Sequence, residues 1–134
     1  MNVGGGCITD ALPETVGLPA EYFLVRGIFL DCQGPVEIDA SSIWGYRVMV
    51  LTRSHDVSDG KIGAVVPKPV AVERGAWIGS GAILYNCRIR EGAIVAAGAV
   101  VEASVPPGCV YRRNGYTSPQ RPPDWRERRM AWVS

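Results

Sequence analysis

The chain has 134 residues, a length typical of a single domain that can bury a working core. Its 14 Lys and Arg residues and 13 Asp and Glu residues leave a formal net charge of +1. This nearly neutral balance gives no overall charge that would attract nucleic acid or an anionic membrane. The 16 glycines, ten prolines and only two phenylalanines indicate a chain that turns often and packs small aliphatic side chains, and they disfavour a helical bundle.

The cysteines and the first residues bear on metal binding and on compartment. The four cysteines form no CxxC pair and no His/Cys cluster with zinc-ligand spacing, so we expect neither a disulfide framework nor a metal site. Residues 1–10 lack a basic segment followed by an apolar run, and no stretch approaches the ~20 apolar residues that span a bilayer. We therefore expect a soluble, cytoplasmic protein without a membrane span and without nucleic-acid partners.

The amino-terminal part shows little periodicity. We predict one domain over residues 1–134 that begins with a cap at 1–30. The cap ends in the apolar run Tyr22–Leu30, which we expect to form an incomplete first coil of the repeat that follows.

Residues 31–110 contain an internal repeat in which aliphatic side chains recur every six residues. The repeated positions are Ile38, Trp44 and Val50, then Val72, Ile78 and Leu84, and then, after one missing residue, Ile89, Val95 and Val101. Small residues follow most of them by four places, at Ser42, Val48, Ser54, Ala76, Ala82, Ala93 and Ala99. Two runs with the same period of six, each with small residues four places after the aliphatic ones, are hard to obtain from composition alone.

The period of six indicates the shape of this repeat. It matches neither an amphipathic helix nor a simple alternating strand. Six residues with two inward side chains and a turn make one flat face, and three such faces close a triangular coil of eighteen residues. Stacked coils then pair as parallel strands about 4.8 Å apart, with flexible residues such as Gly45, Gly79, Gly92 and Gly98 at the turns. The repeat therefore predicts an all-β fold, a parallel β-helix.

Two segments depart from the repeat. Residues 56–69 break the step of six and carry Asp-Gly and two prolines, which predict a loop that leaves the coil. Residues 111–134 form a predicted tail, in which 124–133 resembles a short helix capped by an aspartate. Trp125 and Trp132 lie seven residues apart and share one face of that helix, where they favour packing on a coil or on a neighbouring subunit.

Three segments carry a family resemblance: FLDCQGPVEIDASSIWGYRVMVLTRSHD, KPVAVERGAWIGSGAIL and REGAIVAAGAVVEASVPPGCV. They resemble the hexapeptide-repeat O-acetyltransferases that modify maltose, galactosides and bacterial surface polysaccharides, over about Phe29–Val110. The resemblance implies a left-handed parallel β-helix, an acetyl-CoA donor, and a homotrimer whose active sites lie between subunits.

By this resemblance, the histidine that ends the Thr-x-x-His segment is the general base, which here is His55. It is also the only histidine in the chain. A sugar hydroxyl is a weak nucleophile at neutral pH, and a neutral imidazole can accept its proton during attack on the thioester. Asp31, Glu37, Asp56 or a backbone carbonyl remain alternatives for orienting the ring. We also assign Asp31 to the binding of the acceptor.

The resemblance places the donor in the groove between stacked coils. Backbone groups near Ser80 and Ala97 are expected to hold the pantetheine arm, and Trp77 is expected to line its reactive end. Small residues suit a groove in which a ligand approaches main-chain amides, and such amides also stabilise a developing oxyanion.

The sequence departs from the family at its phosphate-binding segment. Glu102-Ala103 replaces the usual Thr-Lys after the Val-Val pair, and Arg113-Asn114-Gly115-Tyr116 replaces Gly-Asn-Pro-Ala. Arg112 and Arg113, together with Arg121, are therefore candidates for the coenzyme phosphates, since guanidinium groups suit phosphate oxygens. The family's asparagine before the Asp-containing strand is also missing, which leaves the acceptor open.

The sequence therefore predicts an acetyl-CoA-dependent O-acetyltransferase with a small, carbohydrate-like acceptor and no metal. An N-acyltransferase acting on an amino sugar or an antibiotic is the near alternative, and a non-catalytic scaffold or binding module is the distant one. A zinc carbonic anhydrase of the same fold needs three histidine ligands, which a chain with one histidine cannot supply.

Overall fold

The computed structural model describes residues 12–115 and the backbone of two short strands at 2–3 and 117–118. This part of the chain is mostly β-strand. In chain order the elements are β1 (Asn2–Val3), α1 (Ala20–Val25), β2 (Phe29–Asp31), β3 (Val36–Ile38), β4 (Ile43–Trp44), β5 (Met49–Leu51), β6 (Arg53–Ser58), β7 (Lys61–Pro67), β8 (Val70–Val72), β9 (Trp77–Ile78), β10 (Ile83–Tyr85), β11 (Cys87–Ile89), β12 (Ile94–Val95), β13 (Val100–Val101), β14 (Val110–Tyr111) and β15 (Thr117–Ser118).

The strands form three sheets that the chain visits in a fixed order. We name them sheet A (order β1-β2-β5-β10-β13), sheet B (order β11-β8-β3) and sheet C (order β15-β14-β12-β9-β4). Each coil passes from sheet B to sheet C and then to sheet A, first as β3-β4-β5, next as β8-β9-β10, and then as β11-β12-β13. The pairs between these coils are all parallel. The predicted all-β architecture with parallel sheets is confirmed.

The register of the sheets explains the period of six. Each repeated position pairs with its equivalent in the next coil. The successive partners are Ile38, Val72 and Ile89 in sheet B, then Trp44, Ile78 and Val95 in sheet C, and then Val50, Leu84 and Val101 in sheet A. All nine side chains are buried. The repeated positions therefore form three inward columns that make up the core, as side chains at alternate positions of a strand share one face.

The beginning of the described chain covers one end of this core. The apolar run 22–30, which was expected to form an incomplete first coil, contains most of helix α1, followed by β2, which pairs in parallel with β5. Phe23 on α1 is fully buried and meets the Trp44 ring edge to face at 5.7 Å. The Trp44 backbone N–H donates to the Tyr22 hydroxyl at 3.1 Å. Helix α1 therefore adds a buried aromatic ring to this end of the core.

A hairpin leaves the coil between β5 and β8. Strands β6 and β7 pair antiparallel, with a register irregularity between His55 and Val57. The hairpin turns at Asp59 and Gly60, whose φ values of 51° and 70° suit the tight two-residue turn favoured by an Asp-Gly pair. It begins at Arg53, ahead of the start of the loop predicted at 56–69.

The outermost strands of two sheets run against their neighbours. Strand β1 is antiparallel to β2 at one end of sheet A, and β15 is antiparallel to β14 at the opposite end of sheet C. The helix predicted at 124–133, with Trp125 and Trp132, and also Arg121, lie outside the described residues. In the described part of the chain, no helix has the length and apolar character that crossing a membrane requires.

Candidate functional site

An open hollow of about 300 Å³ lies where sheet A meets the hairpin. Its lining consists of Phe29, Asp31, Leu51, Arg53, Ser54, His55 and Val65. Strands β2 and β5 supply the sheet side, while β6 and β7 supply the hairpin side. Two of the residues singled out from the sequence, His55 and Asp31, therefore share one site.

A backbone carbonyl orients the ring of His55. Its Nδ1 lies 3.0 Å from the carbonyl oxygen of Gly63 across the hairpin. Since a carbonyl oxygen can only accept, Nδ1 must carry the proton, and Nε2 of the neutral ring keeps its lone pair. Nε2 has no hydrogen-bond partner within residues 12–115. Of the four alternatives for orienting this ring, the structure selects the carbonyl.

Asp31 is a buried carboxylate in the lining of the hollow, and it forms an ion pair with Arg53. Only 4% of the residue is exposed, and its Oδ2 accepts a hydrogen bond from Nε of Arg53 at 2.9 Å. Oδ1 accepts from the Gln33 amide at 3.0 Å. The Arg53 Nη1 also donates to the side-chain oxygen of Gln33. The carboxylate is therefore engaged at both oxygens.

These hydrogen bonds determine the charge of Asp31. Burial acts to raise the pKa of this carboxyl, but the hydrogen bonds from Arg53 and from the Gln33 amide outweigh burial and hold the pKa below its ordinary value. The buried hydroxyl of Thr52 donates to the Asp31 carbonyl at 3.0 Å and ties the root of the hairpin to β2. Asp31 is thus a fixed negative charge that positions Arg53.

The predicted donor residues lie at a different place, the corner where the chain turns from sheet C to sheet A. Here Ser80 and Ala97 occupy equivalent positions of successive coils, as the pairing of Ile78 with Val95 requires. A Cβ at Gly79 would lie 2.6 Å from the Ala97 nitrogen, and one at Gly45 would lie 2.6 Å from the Ser80 nitrogen. Only glycine lets the coils approach this closely.

The corner leaves polar backbone groups free. Within the described chain, the amides of Ser80 and Ala97 donate no hydrogen bond to protein. The Ser80 hydroxyl, in turn, accepts from the Tyr46 amide at 3.0 Å. Because both residues are exposed, their amides are available to a ligand that lies along the corner.

Arg113 extends this corner by one coil. The pairing of Val95 with Tyr111 places Arg113 next to Ala97, and its side chain lies over Gly98, with Nε 3.5 Å from the position of a Cβ there. Arg112 precedes it and is also exposed. The Arg113 side chain therefore lies at the end of the corner formed by the last coil, and Arg112 is its neighbour in the sequence.

Trp77 lies on the outer side of sheet C, with 42% of its surface exposed. It is flanked in the sheet by Ile43 and Ile94. It precedes the Ser80 corner by three residues and does not line the hollow around His55.

Within one chain, the two sets of site residues are apart. Strands β5 and β10 pair in register, so their first residues lie at the Ser80 corner and their last residues lie at the hairpin. The width of one sheet therefore separates the two sets, on the order of 15 Å. The structure brings His55 together with Asp31, and Ser80 with Ala97 and Arg113, but it does not bring these sets together.

The sequence alone did not identify Arg53, Gln33 and Gly63 as parts of the site. Arg53 stands in the Thr-x-x-His segment, yet its partner Asp31 lies 22 residues earlier, a separation that depends on the coil register. The described chain contains no group of three or more His, Cys, Asp or Glu residues arranged to hold a metal ion.

No protein-family model matches the sequence, and no curated protein does so either. Solved structures share the fold. A structure of AntD, an N-acyltransferase from Bacillus cereus, in complex with dTDP-4-amino-4,6-dideoxyglucose and coenzyme A, has a TM-score of 0.59 at 20% sequence identity, over 73% of this chain and 59% of that chain. A maltose O-acetyltransferase from Clostridium difficile has a TM-score of 0.56 at 22% identity, over 64% and 49% of the two chains.

A hexapeptide-repeat containing acetyltransferase from Vibrio cholerae has a TM-score of 0.53 at 20% identity, over 64% of this chain and 56% of that chain. This chain therefore spans less than two thirds of the length of each of these three proteins. At such identities the likeness is one of fold. The expected resemblance to hexapeptide-repeat acetyltransferases is confirmed at that level.

Proposed function

We propose that this chain is a left-handed, triangular β-helix acyltransferase of the hexapeptide-repeat family, which moves an acetyl group from acetyl-CoA to a hydroxyl of a sugar-like acceptor. The observation that carries the proposal is the His55 ring, whose Nδ1 is held by the Gly63 carbonyl so that Nε2 is a free base beside the hollow. The fold supports the same reaction class, since the solved proteins that share it are acyltransferases.

In the proposed reaction, His55 acts first as a base and then as an acid. Nε2 takes the proton of the acceptor hydroxyl as its oxygen attacks the thioester carbon. The tetrahedral intermediate then expels the coenzyme A sulfur, and the imidazolium returns the proton to it. The Gly63 carbonyl keeps the ring in one tautomer and stabilises its charged form through the Nδ1 proton.

The corner of small residues is the proposed donor site. The free amides of Ser80 and Ala97 would bind the pantetheine arm, and the exposed ring of Trp77 would cover its reactive end. Arg112 and Arg113 at the end of the corner would bind the coenzyme phosphates. The glycines at 45 and 79 support this assignment, because no side chain stands over the Ser80 and Ala97 nitrogens.

A homotrimer with shared sites would join the two separated sets of residues. His55 and Asp31 of one subunit would then face the donor corner of the next subunit. The exposed apolar side chains of Met49 and Val100 on sheet A, and of Trp77 on sheet C, support this arrangement because they flank the donor corner. Closed rotational symmetry would bury these surfaces on every copy.

Transfer to an amine is the second candidate. AntD, which shares the fold, is an N-acyltransferase whose structure contains an amino-sugar nucleotide together with coenzyme A. The two candidates differ in the acceptor atom, and a panel of paired hydroxyl and amino sugars distinguishes them. Neither candidate requires a metal.

Titration with acetyl-CoA, followed by acceptor-dependent release of coenzyme A, tests the proposed reaction. The informative change is His55→Asn, since the shorter amide can still donate to the Gly63 carbonyl but has no base at the Nε2 position. We expect kcat to fall about 100-fold or more while the affinity for acetyl-CoA stays within experimental error. Asp56→Asn is the matched control, because Asp56 is exposed on the same strand and does not line the hollow.

Failure to bind acetyl-CoA would reject enzymatic transfer and favour a scaffold role. The shared site is tested separately by light scattering, which should give about three times the 14.4 kDa chain mass. Mixing His55→Ala chains with Ala97→Glu chains should then restore part of the activity that each lacks alone. A fully active monomer contradicts the shared site.

A further inference from the structure

The guanidinium of Arg53 stands beside His55 and is only partly used by the protein. Its Nε donates to Asp31 at 2.9 Å, and its Nη1 donates to Gln33. Within the described residues, Nη2 has no partner. The side chain is 34% exposed and lines the same hollow as His55. Arg53 is thus held at Nε and at one N–H of Nη1, and its open edge is the end that carries Nη2.

The bonds to Asp31 and Gln33 hold the guanidinium in place, which prepares its open edge to bind a ligand. A guanidinium carries five N–H donors in a rigid plane and no acceptor. Because Asp31 and Gln33 already hold that plane, little side-chain entropy remains to be lost when a ligand binds. The open edge offers an N–H from Nη2 and the second N–H of Nη1, which match the two oxygens of a carboxylate or a phosphate.

The other groups around the hollow do not compete for this edge. Asp31 is the one carboxylate in the lining, and both of its oxygens are engaged. Phe29, Leu51 and Val65 supply the apolar part of the lining and bring no charge of their own.

We infer that Arg53 selects an anionic acceptor, one that carries a carboxylate or phosphate group within reach of the hydroxyl or amine that His55 deprotonates. The inference rests on the proposed function, since it names the acceptor class of that reaction. It goes beyond that function because a neutral sugar would leave the open edge of Arg53 without a charged partner.

The imidazole of His55 provides a test that needs no catalysis. As His55 is the only histidine in the chain, its ring signals in nuclear magnetic resonance report on this site alone, provided that the protein is prepared without a histidine tag. Glucose 6-phosphate and glucuronate, added up to roughly 10 mM, should shift these signals with saturation, whereas glucose should not. The two anions distinguish a phosphate site from a carboxylate site.

Arg53→Gln should abolish the saturable shift. Arg74→Gln is the matched control, because it removes the same charge from an exposed arginine in the turn between β8 and β9, which does not line the hollow, and it should leave the shift unchanged. If Arg53→Gln leaves the shift intact, or if glucose shifts the signals as glucose 6-phosphate does, the inference is overturned.

A second variant guards against misfolding. Arg53→Gln leaves the buried carboxylate of Asp31 without its counter-charge, so the single change is costly. The double variant Asp31→Asn/Arg53→Gln removes both charges and keeps two amides in hydrogen-bonding range. It too should lose the shift with glucose 6-phosphate.

Kinetics then separates this inference from the proposed function. Wild-type protein should show kcat/KM at least tenfold higher for one of the anionic acceptors than for glucose, and Arg53→Lys should reduce that ratio, since an ammonium cannot present two parallel N–H groups. Equal ratios in wild type and Arg53→Lys would contradict a specific role of the guanidinium. If acetyl-CoA does not bind but the His55 signals still respond through Arg53, the acyl transfer fails and the anion site stands.

Discussion

The three sheets have similar inner faces but different outer faces. Inward, each sheet presents a column of buried aliphatic residues, with Trp44 as the exception in sheet C. Outward, sheet B presents charged groups: Arg88 lies 2.7 Å from Glu73 and 3.6 Å from Glu37. Ala71 sits between Glu37 and Arg88 in the pairing and is buried.

Sheets A and C instead present apolar columns to the outside. In sheet A the outward residues are Phe29, Met49, Ile83 and Val100, and in sheet C they are Ile43, Trp77, Ile94 and Val110. The inward positions thus serve folding in all three sheets, whereas the outward positions differ by sheet. The repeated inward positions therefore predict the fold, whereas the outward positions between them predict what each sheet can contact.

The largest effect on stability is expected at the corner between sheets C and A. Gly79→Val would place a Cβ 2.6 Å from the Ala97 nitrogen and 2.7 Å from the Val95 carbonyl oxygen, and neither backbone atom can move without separating two coils. We expect a loss of about 3 kcal/mol in the free energy of unfolding, measured by urea denaturation.

Gly60→Ala is the comparison for this change. Its Cβ would meet nothing within 4 Å, and only the positive φ of 70° opposes it, so the loss should be about 1 kcal/mol. Equal losses at the two glycines would show that the corner is not closely packed.

A smaller effect is expected from a substitution that distinguishes the outer faces of the sheets. Val100→Glu puts a charge into the apolar column of sheet A, where 47% of the valine is exposed in the single chain. If this column is buried between subunits, the change should shift the assembly to monomers and reduce the proposed acyl transfer, because the proposed site needs two chains. Light scattering at several protein concentrations measures the shift.

Arg74→Glu is the control beside the charged face, in the turn that follows β8 of sheet B. Its side chain is exposed and pairs with Glu91 at 3.0 Å, an exposed pair of the kind that contributes less than about 1 kcal/mol. The assembly should not change in this variant. Dissociation by Arg74→Glu and not by Val100→Glu would assign the interface to sheet B instead.

The smallest effect on stability concerns the ion pair between Asp31 and Arg53. Asp31→Asn removes a buried charge but keeps a hydrogen-bonding side chain, so we expect a loss of about 1–2 kcal/mol near pH 7. Because the folded-state pKa of Asp31 lies below the value of the unfolded chain, its contribution is fully present above about pH 4 and is lost as the pH falls through the folded pKa.

The stability difference between wild type and Asp31→Asn should therefore shrink on acidification, as measured by urea denaturation at several pH values. A difference that stays constant down to pH 2 would mean that the charge of Asp31 does not stabilise the fold.

The sequence was sufficient to predict the three inward columns, because a period of six is imposed by the geometry of a flat face and survives without any knowledge of pairing. It was not sufficient for the start of the chain. The run Tyr22–Leu30 is apolar throughout, and such a run does not distinguish a strand from a helix such as α1. Packing of Phe23 against Trp44 is a tertiary contact that favours the helix.

In the candidate site, the sequence predicted some of the residues that take part but not which of them are hydrogen-bonded to one another. His55 and Asp31 were both identified, but the sequence left the group that orients the ring among four alternatives. The choice of Gly63 depends on the register of the hairpin, which pairs His55 with Val65 and contains an irregularity two residues later. The link between Asp31 and Arg53 likewise depends on how β2 lies beside β5.

The antiparallel strands β1 and β15, at the ends of the stacked coils, oppose the addition of further coils. A parallel ladder offers unpaired N–H and C=O groups at each end, and another copy with the same repeat is their natural partner. Strand β1 takes one such edge of sheet A and β15 takes one of sheet C, each with the opposite direction. A further coil arriving there meets a strand of the wrong polarity, which opposes end-to-end polymerisation into fibres.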